Sequence, residues 1–480
     1  MIHPTQQSVL ARPLGQRSVD FATLHQQYPQ DFPFLLESVA QGGLGRYSIL
    51  MACPSAVLQL NPEQSPDTFV EAAQQAMAST QTTQLVVQLE GDESLWPPQN
   101  SALLQQEAQN LPFKGGWFAY FSYDYAQVVE PTLQLPKARF PLANLTRCHA
   151  AVICDHQTNQ MWLVAEAEHA QWLERMHRQL GDLPQMSDIP KIELQQLGEE
   201  PEQKYLDGVQ SIKEYILAGD VFQVNLSRLW QARLHPEHNY HHVYQALRMN
   251  NPAPFAALAC LRDAQGAPWQ ILSSSPERLV RFDGEWVETR PIAGTRPRSL
   301  DDAADRALMA ELIAHPKERA EHIMLIDLER NDLGRICQKG TVEVNELMVV
   351  ESYQHVHHIV SNVRGRLAEG LNPLDIVHAL FPGGTITGCP KVRCMQIVGE
   401  LEQMPREAYT GSLGYINLDG TLDLNILIRS FVHVADAEQN LLQFRAGAGI
   451  VADSQPDFEL TETRHKARGL LRAFAGQQNA

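Results

Sequence analysis

Apolar positions recur at helical spacing in KYLDGVQSIKEYILAGD, where Tyr205, Val209, Ile212, Ile216 and Leu217 share one face and Gly219 supplies the stop. The period then shortens. Phe222, Val224 and Leu226 alternate with Gln223, Asn225 and Ser227, which predicts a strand with one apolar face and one face of amides and a hydroxyl. That polar face either meets solvent or lines a site. Further strands are expected at 255–260, 269–274, 285–290, 355–363 and 441–451, with helices at 302–314, 316–330, 373–379, 390–402 and 457–473. Strand runs broken by helix pairs, without strict βαβ alternation, predict an α+β chain of antiparallel sheets covered by helices. The polar, proline-bearing stretch 181–203 reads as a connection between two parts.

Charge and composition narrow the partners. A net charge of −18 opposes nucleic acid and anionic membrane surfaces, so a small molecule is expected, and an anionic one would need local cations, helix N-termini or a metal ion. No stretch near the start has the apolar core of a signal peptide and no run reaches the roughly 18 apolar residues of a membrane span, so the cytosol is the expected compartment. Seven cysteines at irregular spacing argue against a disulfide framework, and Cys148, His149, Cys154 and His156 match no zinc spacing.

Three constellations carry candidate chemistry. Glu318 and Glu321 stand three apart on a helix that opens at Pro316, and Glu459 and Glu462 repeat the spacing on a second helix. Such pairs are either solvated helix faces or oxygen ligands for a hard cation, for which Mg²⁺ fits best. FPGGTITGCPKVRCM joins a glycine-rich turn to a helix whose first position is Pro390, either a plain helix entry or a seat for an anion. RAGAGIVADSQPD has the G-x-G-x-x-A spacing at Gly447, Gly449 and Ala452. It continues as a loop where a dinucleotide fold needs a helix, so the glycines are expected to let the strand backbone come close to a ligand or another strand.

Together AGDVFQVNLSR, SSSPERL, RPIAGTRPR, KERAEHIMLIDLERNDLGR, ESYQHVHHIVS, FPGGTITGCPKVR, YTGSLGYI, LNILIRS, RAGAGIVADS and ETRHKAR resemble the chorismate-utilising enzymes in order and spacing. The resemblance implies two antiparallel sheets packed face to face with helices outside. It implies a chorismate-binding catalytic domain at 204–476 and, more thinly, through PFLLESVAQGGLGRYSIL and LPFKGGWFAYFSYDYA, an amino-terminal domain at 1–180 like that of the family's chorismate-aminating large subunits. Carried over by motif, Glu321 and Glu462 match direct Mg²⁺ ligands, with Glu318 and Glu459 reaching the ion through water. Glu277 matches the acid that protonates the departing 4-hydroxyl, and needs a raised pKa to do so. His358 matches the histidine beside the ring. Thr295, Thr385, Tyr409, Arg429, Gly447, Gly449 and Lys466 match substrate contacts, and Glu37–Ser38 resembles the place where relatives bind tryptophan.

Gln223 stands where water-adding members carry a lysine. An amide cannot activate water as a base, so the implied nucleophile is ammonia, and the missing glutaminase motif implies a separate glutamine amidotransferase subunit. Two products remain open. Ala293 in RPIAGTRPR resembles the branch that aminates carbon 2 to give anthranilate. FQVNLS, GGTITGCPK and NPAPFAALAC resemble the aminodeoxychorismate synthases, which aminate carbon 4, and several positions outweigh one.

Overall fold

The structure is a computed structural model of the 480-residue chain and describes residues 6–39, 45–82, 84–91, 101–183, 191–299, 301–352, 356–435 and 440–474. Its strands are joined through one long central strand, Ala143–Asp155, whose first half pairs with Gly116–Phe121 and whose second half pairs with Gln160–Glu166. Tyr47–Leu60 runs along its other edge. From Tyr47–Leu60 one arm continues through Phe34–Glu37, Phe255–Arg262, Pro268–Ser275, Ser430–Ala435 and Asn440–Ile450 to Gln223–Leu234. From Gly116–Phe121 the other continues through Ser412–Asn417, Leu422–Asn425, Arg278–Phe282 and Trp286–Thr289 to Val356–Arg366, which also pairs with Ile292–Pro297. Among the described pairings only Gln6–Gln16 beside Gln84–Leu89 is parallel.

The two arms face each other. Phe34 stacks on Phe118 with ring centroids 3.7 Å apart, and Tyr120 meets Trp269 edge-on at 5.6 Å. Burial of each such side chain stabilises the fold by about 1.5–3 kcal/mol. The expected two antiparallel sheets with helices outside are therefore present, and Ala143–Asp155 hydrogen-bonds them into one network. The expected helices form with ends displaced by no more than a few residues, except that Pro316–Gly334 runs one turn further. Pro390 sits outside its helix as the N-cap, because its extended backbone leaves Lys391 as the first helical residue.

Residues on both sides of position 200 share the cores. Phe32, Leu50 and Leu163 cluster with Trp230, Leu272 and Phe431. Within the expected 181–203 connection, Leu194–Glu199 form a strand beside the end of Gln223–Leu234. Outside the sheet, Glu202–Leu217 and Pro456–Leu471 cover the Asn440–Ile450 and Gln223–Leu234 strands through Tyr205, Val209, Ile212, Leu226, Ala448 and Leu460. No helix among the described residues is long and apolar enough to cross a membrane. His149 does not turn toward Cys154. It bonds Glu166 at 3.0 Å and the Ser55 hydroxyl at 2.8 Å and stacks on His169, while Arg147 holds the same carboxylate at 2.7 Å, a hydrogen-bonded ion-pair cluster.

Candidate active site

The polar face of Gln223–Leu234 meets the glycines of Asn440–Ile450. Gly449 stands opposite Asn225, and Gly447 opposite Ser227. A methyl group on Gly447 would sit 2.6 Å from Leu226 O, 2.9 Å from Asn225 Oδ1 and 2.9 Å from the Tyr409 hydroxyl, and one on Gly449 would run into Gln223 Nε2. Two amides and a phenol thus occupy the space that side chains would fill, which is why the strand is glycine-rich. Residues 451–455 form a turn before the helix at Pro456, so the G-x-G-x-x-A spacing opens no nucleotide loop, as its context foretold. Lys466 donates to Gly447 O at 2.9 Å and pairs with Glu462 at 2.8 Å.

Glu277 follows the Pro268–Ser275 strand, and its backbone is fixed at both ends. Its N–H donates to Ser275 Oγ at 3.3 Å, and its carbonyl accepts from Ile426 N at 3.0 Å. The side chain is 5 % exposed. Loss of solvent pushes its pKa up to about 7. Thr385 opposes that rise, Glu329 adds to it, and Arg429 and the Ile292 backbone oppose it. Glu329 is itself raised to about 7, by burial first and then by Asp332. A carboxyl that keeps its proton near neutrality can act as a general acid, and the sign is testable. Protonated below about 7, Glu277 should give a kcat that falls as pH rises through that value, read from a pH–rate profile at saturating substrate. The same shift makes the folded state lose stability as pH rises from the ordinary carboxylate range toward 7.

His358 Nδ1 lies 3.0 Å from the Thr295 hydroxyl. Burial lowers its pKa to about 4, with Arg429 lowering it further, so the imidazole is neutral under ordinary conditions. Arg429 is half-buried, burial lowers its pKa, and among the described residues its guanidinium forms no ion pair. Its backbone is left-handed at φ 51°, as is that of Thr410 at φ 61°, a conformation uncommon in residues other than glycine. Ala293 is buried opposite Ile359 and offers no nucleophile. The pairing slips between Ala293 and Thr295. Gly294 there has φ 66°, and a Cβ on it would run into Glu318 Oε2.

The four paired glutamates stand on two helices, Pro316–Gly334 and Pro456–Leu471. Glu318 Oε1 accepts from Arg296 at 2.7 Å, while Oε2 is buried without a hydrogen-bond donor. Glu459 is buried, and it and Glu462 both raise the pKa of nearby Tyr205 after burial has done so. Their oxygens do not close into a group of three within 4.8 Å among the described residues. An all-carboxylate donor set with one orphaned oxygen is nevertheless of the kind that suits a hard cation. Glu37 and Ser38 lie elsewhere, in a cavity of about 990 Å³ that no other candidate residue lines. There Glu37 accepts from the Tyr244 hydroxyl at 2.7 Å and from Arg248 at 2.9 Å, and Ser38 Oγ donates to Pro254 O at 3.0 Å.

Sequence reasoning passed over two site residues. Asn225 was placed on the polar strand face without a role. Glu329 stands eight positions after Glu321 on the same helix, and helical spacing alone could have marked it as a third acid on that face.

A family model described as chorismate binding enzyme matches residues 50–472. The chain is 44% identical over 372 residues to an anthranilate synthase component I-like protein of Synechocystis sp., across 77% of this chain and 74% of that one. It is 42% identical over 375 residues to aminodeoxychorismate synthase component 1 of Bacillus subtilis, across 75% and 77%. The crystal structure of anthranilate synthase component I from Streptococcus pneumoniae TIGR4 superposes with a TM-score of 0.72 at 27% identity, covering 90% of this chain and 93% of that one. The chain belongs to the chorismate binding enzyme family, as a chorismate-utilising enzyme of the group that holds anthranilate synthase component I and aminodeoxychorismate synthase component 1.

Proposed function

We propose that the chain is the chorismate-aminating subunit of an aminodeoxychorismate synthase, converting chorismate and ammonia to 4-amino-4-deoxychorismate, the precursor of 4-aminobenzoate and folate. The observation that carries amination is an amide at position 223 in a site whose buried acid, Glu277, has its pKa raised to about 7, and amination at carbon 4 rests on the FQVNLS, GGTITGCPK and NPAPFAALAC stretches. Glu277 gives its proton to the 4-hydroxyl, which leaves as water, while ammonia forms the new C–N bond and sheds a proton in turn. The amide of Gln223 cannot deprotonate water, so hydration does not compete through that residue. With alanine at 293, no covalent lysine adduct precedes the attack. Arg429 and Lys466 answer the substrate carboxylates, Tyr409, Thr385, Gly447 and Gly449 shape the floor, and neutral His358 with Thr295 borders the ring.

Glu321 and Glu462, with Glu318 and Glu459 behind them, would hold Mg²⁺, which when bound supplies positive charge to a substrate carboxylate. A separate glutamine amidotransferase subunit would deliver the ammonia. A second reading, amination at carbon 2 to give anthranilate and pyruvate, is favoured by Ala293 and by the Streptococcus pneumoniae match. Purified chain with chorismate, Mg²⁺ and ammonium separates the two. The expected result is no pyruvate until aminodeoxychorismate lyase is added, followed by 4-aminobenzoate. Immediate pyruvate with anthranilate fluorescence would replace the first reading by the second.

A further inference from the structure

Two amide oxygens in this site, Gln223 Oε1 and Asn225 Oδ1, are buried without a hydrogen-bond donor among the described residues. Buried polar atoms are nearly always partnered, so a concentration of orphaned acceptors marks where a donor-bearing ligand belongs. They are set two residues apart on one strand, hence on one face. The Asn225 amide is oriented, because its Nδ2 reaches the Thr385 carbonyl at 3.4 Å and Oδ1 must point the other way, toward Gly447. Its backbone is pinned as well. Asn225 N donates to Thr387 O at 3.0 Å, and Asn225 O accepts from Arg406 at 2.6 Å.

The substrate's carboxylates bring acceptors of their own and would be repelled by amide oxygens, Arg429 and Lys466 are the groups suited to them, and its 4-hydroxyl is the group assigned to Glu277. Ammonia is the reactant these oxygens fit. It has three N–H donors to be held by and one lone pair to attack with. The neutrality of the amides matters, because a carboxylate in the same place would favour ammonium, which has no lone pair to give.

We propose that Asn225 is a nucleophile-binding residue, whose Oδ1, together with Gln223 Oε1, accepts N–H hydrogen bonds from ammonia and so turns its lone pair toward the bound ring. The assignment rests on the amination reading and goes beyond it, by naming the side chain that recognises the nitrogen.

Steady-state kinetics on the full chain with chorismate, Mg²⁺ and ammonium chloride tests it. Asn225→Leu, of similar size and without an acceptor, should raise the KM for ammonium about tenfold, the worth of one hydrogen bond, and leave the KM for chorismate unchanged. Asn225→Asp keeps an acceptor but adds charge. It should move ammonia-dependent turnover to higher pH, a shift that a purely structural residue would not cause and that can be read even if the leucine variant folds poorly. An unchanged ammonium KM in Asn225→Leu, a rise confined to the chorismate KM, or an unmoved pH profile in Asn225→Asp would each overturn the assignment. If the unmodified chain forms no aminated product from ammonium, the amination reading itself fails, a result seen before any variant is made.

Discussion

Glu277→Gln should lower kcat by about 10²–10⁴-fold, the usual contribution of a positioned general acid. The glutamine keeps the shape of a side chain that is 5 % exposed, so the cavity is preserved and only the transferable proton is lost. The KM for chorismate should change little, because the proton is needed as the C–O bond breaks and not when the substrate binds. Replacing Glu329 would act differently. That residue bonds the Thr289 hydroxyl at 2.9 Å and raises the Glu277 pKa by its charge, so Glu329→Gln should move the alkaline limb of the pH–rate profile to lower pH while leaving most of the rate. A Glu277→Gln enzyme with kcat within a few-fold of the parent would show that another group carries the proton.

Much of this architecture was legible in the residues, and the parts that were not share a cause. Periodicity located Glu202–Leu217, Asn440–Ile450 and Pro456–Leu471, because each has one face committed to a core and the other to solvent or to the site. The glycines at 447 and 449 were legible as places of close approach, though nothing local says that amides from positions 223 and 225 fill the space. That fact depends on a strand pairing across more than 200 positions. The sharing of cores across position 200 was hidden for the same reason. Leu194–Glu199 looks like a polar connection because its residues face outward at a sheet edge, and only the pairing with Gln223–Leu234 makes it a strand. Glu277 announced itself by resemblance, while its raised pKa comes from long-range burial and from Glu329 on a distant helix.

The second large effect is on stability, at a residue outside the proposed substrate contacts. Glu402 is 2 % exposed and accepts from Ser227 N and Oγ, from two nitrogens of Arg406 and from Arg445 at 2.7–3.0 Å. Burial alone would raise its pKa, but the two guanidinium groups outweigh burial and hold it below the usual carboxylate range. Glu402→Ala leaves both arginines buried without their counter-ion and should destabilise the fold by about 3–5 kcal/mol, read as a lower denaturant midpoint. Because the folded pKa is depressed, the contribution is present above the ordinary carboxylate pKa and is lost as pH falls through the folded value, so parent and variant should converge in acid. The loss would also reach the site, since Arg406 holds the Asn225 carbonyl and lies over the Tyr409 ring at 5.5 Å. A Glu402→Ala midpoint close to the parent's would mean that water or a rearranged arginine replaces the carboxylate, and that the Gln223–Leu234 strand keeps its place without this charge cluster.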